Sequence, residues 1–67
     1  MLLKLHRNPS GFGKMTKEYE VFVNPYDITT IEQSQYCGAL IAFTSDRQIT
    51  VMEGFKDVVK LIEDEIG

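Results

Sequence analysis

A chain of 67 residues that holds one cysteine, Cys37, and one histidine, His6, has to be held together by packing. One cysteine cannot close a disulfide within the chain, and one Cys with one His leaves a structural zinc without its four ligands. Chains this short bury a small share of their surface and usually need a staple, very regular packing or a partner. With the staples gone, packing or self-association remains. Size alone leaves a monomer and a homo-oligomer equally open. A hydrophobic content of 43% against 25% charged residues is that of a globular chain. The length allows one domain, residues 1–67.

The pattern of apolar residues predicts strands first and a helix last. Leu2 to Arg7 reads as a first strand, and the Asn8–Gly13 cluster of Asn, Pro, Ser and Gly as a loop. Glu18 to Val23 passes from alternation to an apolar, β-branched and aromatic run, a second strand. Asn24-Pro25-Tyr26-Asp27 is a turn, with Pro25 suited to its first central position and room for one helical turn. Ile28 to Gln33 reads as a third strand. Ala39 to Thr44 is almost continuously apolar, as in a strand covered on both faces. Ser45 to Gln48 is short and polar, and Ile49 to Met52 completes the strongest hairpin signal in the chain. The period then changes. Phe55, Val58, Val59, Ile62 and Ile66 recur every three or four residues, which predicts a helix over about 54–66 with Gly54 as its N-cap. A helix this short is marginal alone and needs a surface to dock on. The expected fold is α+β: a small, curved antiparallel sheet of four or five strands with one C-terminal helix.

Several activities lack their residues. His6 has no Ser or Cys near it in a recognised arrangement. Cys37, in Gln-Tyr-Cys-Gly, has no neighbouring base and reads as a small apolar side chain. Paired acids such as Glu18 and Glu20 read as the solvent face of a strand. Ser10-Gly11-Phe12-Gly13-Lys14 invites comparison with GxxxxGK[ST], but Asn8 stands where the first glycine belongs and Met15 where Ser or Thr should follow the lysine. No cofactor, no metal and no catalytic residue is therefore expected, and the protein reads as a binder and not an enzyme. The start of the chain has too short an apolar stretch for a signal peptide, and no window reaches the roughly 20 apolar residues of a membrane span. A cytoplasmic protein with no membrane partner is the expectation.

Charge is unevenly placed. Residues 1–17 carry Lys4, Arg7, Lys14 and Lys17 and no acid; the remainder carries three cations against ten acids. Arg7, Lys14 and Lys17 flank the glycine-containing loop that holds Phe12. This makes Arg7, Phe12, Lys14 and Lys17 the candidate partner-binding residues, with cations for an acidic surface and an aromatic anchor. The same pattern is also that of a solvated loop. Nucleic acid is disfavoured, because the overall acidity repels phosphate beyond about 8–10 Å of the patch. Glu63-Asp64-Glu65 lies in the last helical turn, where the macrodipole opposes it. Lys60–Asp64 could recover a little, and the run complements the cationic loop of a second copy.

From Phe22 onward a resemblance adds to this. Phe22-Val23-Asn24-Pro25, Ile28, Ile31-Glu32, the run Leu40 to Thr44, the polar turn, Val51, Glu53, Val58-Val59 and Ile62 fall in the order seen in the FlbD-type family of small flagellar and swarming-motility proteins. Leu2-Leu3-Lys4-Leu5 also resembles that family's first strand. The loop from Asn8 to Lys17 is longer than the family's turn, and Ser45-Asp46-Arg47 lacks its usual Asn-Gly. The resemblance implies a bacterial or phage protein without catalytic residues. Three functions follow as expectations: a protein–protein interaction module taking a host protein or itself; a phage-type small-ligand or nucleic-acid binder working as an oligomer; and a structural oligomer subunit.

Overall fold

The computed structural model describes residues 1–8, 14–35 and 38–66. The fold is α+β. Five strands run in chain order, β1 (Leu3–His6), β2 (Glu20–Val23), β3 (Ile28–Gln33), β4 (Ala39–Phe43) and β5 (Gln48–Val51), followed by one helix, α1 (Phe55–Ile66). The expected single sheet is corrected. β1 and β2 form one antiparallel pair, and β3-β4-β5 form a separate three-stranded antiparallel meander.

Pro25 helps explain the division. It offers no N–H and begins a single 3₁₀ turn, Pro25–Asp27, with Asn24 as its N-cap. The Asn24 Oδ1 accepts the Tyr26 N–H at 3.0 Å, and the Asp27 N–H donates to the Asn24 carbonyl at 3.0 Å. The turn redirects the chain between β2 and β3, so β3 pairs with β4 and not with β2. The two sheets meet instead through β1 and β5. Arg7 and Val51 form an isolated antiparallel bridge. Beside it the Met52 N–H donates to the His6 carbonyl at 2.7 Å and the Asn8 N–H to the Thr50 carbonyl at 2.8 Å. This single bridge and the two bonds beside it join the end of β1 to β5.

Alternation within strands builds the core. Leu3 and Leu5 of β1 lie opposite Val23 and Val21 of β2, on the inward face. Leu3, Leu5, Val23, Ala39, Ile41, Ile49, Val51 and Val58 are buried together. β3 breaks the alternation. Its pairing with β4 shifts between Ile28 and Thr30, a bulge that inserts Thr29. Without it, Ile28 and Ile31 would fall on opposite faces; with it, both pack against the core. β4 is covered less fully than a run of apolar residues implies. Ala39 and Ile41 are buried, while Leu40, Ala42 and Phe43 are half-buried.

Two backbone positions are special. Gly38, before β4, has φ +82°, and a Cβ there would overlap the Val51 carbonyl oxygen. In the β4–β5 hairpin the Asp46 N–H donates to the Phe43 carbonyl (3.0 Å) and the Phe43 N–H to the Arg47 carbonyl (2.9 Å). This is a three-residue loop whose last member, Asp46, takes the left-handed conformation with φ 66°. An aspartate in that conformation lets the hairpin close without the Asn-Gly pair.

α1 begins as expected: the Gly54 carbonyl accepts the first helical bond, from the Val58 N–H at 3.0 Å. It packs over β3, β4 and the Pro25–Asp27 turn. Val58 is fully buried and Ile62 packs against the core. Phe55 and Ile66, from the same apolar stripe, remain 38% and 46% exposed. Lys60 and Asp64 do not form an ion pair. Among the described residues no helix is long and apolar enough to cross a membrane.

Candidate functional site

The first connection supplies the cationic end. The Arg7 N–H donates to the Tyr19 carbonyl at 2.8 Å. This ties the end of β1 to the 3₁₀ turn Lys17–Tyr19, on which Lys17 sits. Lys14 precedes that turn, and its carbonyl accepts the Thr16 N–H at 2.7 Å. Arg7, Lys14 and Lys17 are exposed, and none forms an ion pair among the described residues. By contrast Lys4, on β1, lies 3.9 Å from Glu20. Phe12 falls outside the described residues, as does Cys37.

A second constellation joins residues far apart in the chain. The Glu53 carboxylate takes two bonds from His6. The His6 backbone N–H donates to Oε1 at 2.9 Å, and the imidazole Nδ1 lies 2.7 Å from Oε2. The side chains are 14% and 13% exposed. A carboxylate that accepts both a backbone and a ring N–H forms a clamp. It holds β1 to the link between β5 and α1, directly beside the Arg7–Val51 bridge. Nothing local in the sequence signals it, because 47 residues separate the partners. Among the described residues no three of His, Cys, Asp and Glu converge to hold a metal.

The third feature is a cleft of about 300 Å³ between β2 and the β4–β5 hairpin. Val21, Val23, Phe43 and Ile49 supply its apolar lining, with Leu2 and Phe22 beside them. Leu2 is 58% exposed and Phe22 57%. Arg47 and Asp27 are the charged residues that line it. The Arg47 guanidinium sits 6.0 Å from the centre of the Phe43 ring. Neither Arg47 nor Asp27 makes an ion pair among the described residues. Sequence reasoning missed this place. Its apolar residues look like ordinary strand positions, and Arg47 looks like an ordinary turn residue.

Comparison with protein families, with curated proteins and with solved structures gives no match to this chain.

Proposed function

We propose that this protein is a small, non-enzymatic, cytoplasmic interaction module of bacterial or phage origin, whose cationic end binds an acidic surface on another protein. One observation carries the reading: Arg7, Lys14 and Lys17 are all exposed and unpaired among the described residues, around one connection. In a chain of net charge −3, such a patch steers and orients an acidic partner more than it adds raw affinity. Phe12, in the same connection, supplies the apolar anchor. The likeness to FlbD-type proteins supports a bacterial or phage setting.

The test is a pull-down from bacterial lysate with the wild type and with the triple variant Arg7→Glu, Lys14→Glu, Lys17→Glu. One stoichiometric protein held by the wild type at low salt, released by high salt and absent from the variant, is the expected result. A protein held equally by both would overturn the assignment of the site. A preparation that retains no protein but absorbs at 260 nm would replace it with the ligand or nucleic-acid reading.

A further inference from the structure

The two flanks of α1 differ in charge. Between them Val58 is buried and Ile62 packs against the core. On one side Phe55, Val59, Ile62 and Ile66 repeat at spacings of four, three and four, the seam period of a coiled coil. The core takes up only part of this stripe, because Phe55 and Ile66 are exposed and Val59 is half-buried. Lys56 and Glu63 border the stripe on its solvent side, one heptad apart. Both are exposed, and neither forms an ion pair among the described residues. On the other flank Leu61 is exposed in the same row as Asp57 and Asp64.

We propose that a second copy of this chain covers the Phe55–Ile66 flank, through antiparallel two-fold packing of α1 on α1. A two-fold contact needs a surface that is its own complement. This flank is one, for the Lys56 and Glu63 pair is centred on the stripe to within one residue. With the helices antiparallel, Phe55 of each copy meets Ile66 of the other, Val59 meets Ile62, and Lys56 meets Glu63 twice. The acidic last turn of each helix then lies beside the first turn of the other, the positive end of its dipole. That placement relieves a charge run that opposes the dipole of its own helix. A parallel pair would set Lys56 on Lys56 and Glu63 on Glu63. Two copies meeting on the Leu61 flank would set Asp57 against Asp64, acid on acid. An unrelated partner would have to bring both charges at a matching spacing, whereas the second copy carries them already. The flank shares no residue with the cationic end, and the inference goes beyond the function proposed for that end.

The test is sedimentation equilibrium over a concentration series, on the wild type and on charge variants at these exposed positions. A reversible monomer–dimer equilibrium is expected. Lys56→Glu and Glu63→Lys should each weaken it about tenfold, since each turns two attractive pairs into two repulsive ones. The double variant Lys56→Glu, Glu63→Lys should return to within about threefold of the wild type. Seven residues span about 10 Å of helix, so this rescue has to act between copies. Nuclear Overhauser contacts between a labelled and an unlabelled copy should join the Phe55 ring to the Ile66 methyls, which about 16 Å of helix keeps apart within one chain. The triple variant of Arg7, Lys14 and Lys17 to Glu should dimerise as the wild type does. A monomer at about 1 mM with a folded amide spectrum would overturn the proposal. So would a dimer indifferent to both single variants, a double variant no better than the singles, or a dimer lost in the triple variant. A monomer whose Phe55–Ile66 flank holds a different protein would assign the flank to that partner and overturn it equally.

Discussion

β1 and β2 form a ribbon with one face in the core and, among the described residues, no strand beside the outer edge of β2, whereas β3, β4 and β5 form a sheet whose outer strand is bulged, polar and flanked by α1. Both are antiparallel, but β-branched residues concentrate in the three-stranded sheet and β1 has none. The difference lies in what each leaves unsatisfied. The three-stranded sheet is closed by its own hairpins and by the helix. The ribbon depends on a few long-range attachments: the Arg7–Val51 bridge, the His6–Glu53 clamp and the burial of Leu3, Leu5 and Val23. A region held this way keeps one edge, that of β2, without a strand neighbour among the described residues.

The largest expected effect strikes the three-stranded sheet, at the residue of β5 that carries the bridge to the ribbon. Gly38→Ala adds a Cβ that meets the Val51 carbonyl, at a residue with positive φ. Val51 is bonded into β5 and bridged to Arg7, so it cannot give way freely. A loss of about 3 kcal/mol or more is expected in urea unfolding followed by circular dichroism. A loss under 1 kcal/mol would show that the start of β4 is less tightly held against β5 than described.

Leu5→Ala comes next, at about 2–5 kcal/mol, because Leu5 is fully buried and its removal leaves a cavity. If the ribbon is attached chiefly through its core face, this variant should also raise hydrogen exchange in β1 and β2 ahead of β3–β5.

Glu53→Ala tests the clamp. It leaves the His6 backbone N–H, largely shielded, without its acceptor, and about 1–3 kcal/mol is expected to be lost. Faster exchange of the Met52 amide, which bonds to His6, should accompany it. An unchanged urea midpoint would reassign the clamp to a surface ornament of no energetic weight.

Two neighbours on β2 sharpen the contrast between its faces. Val23 is buried and Phe22 exposed. Val23→Thr should cost about 1–3 kcal/mol for a buried hydroxyl, and Phe22→Thr should stay within about 0.5 kcal/mol of the wild type. The smallest effect belongs to the hairpin of the well-closed sheet. Asp46→Gly relieves a left-handed aspartate but adds chain entropy to the unfolded state, so a stabilisation of no more than about 1 kcal/mol is expected.

How far the chain alone reveals this depends on the range of the interactions involved. Local rules carry well. The turn at Asn24-Pro25 follows from an Asx acceptor and a residue without an N–H. The β4–β5 hairpin follows from two apolar runs around a polar turn, and α1 from a change of period at Phe55. Each is a decision taken among residues a few positions apart. The cationic end is legible in the same way, since charge counts need no geometry.

The division into two sheets is not local. It rests on the redirection at Pro25 and on bonds between His6, Arg7 and Asn8 at one end of the chain and Thr50, Met52 and Glu53 near the other. The bulge at Thr29 is invisible to alternation, because it corrects a spacing that alternation would misread. The same holds for the cleft and for Arg47 over Phe43. Which face of a strand is covered, and which edge stays open, depends on what the rest of the chain brings against it. That is settled by long-range packing, where side chains distant in sequence compete for the same buried space.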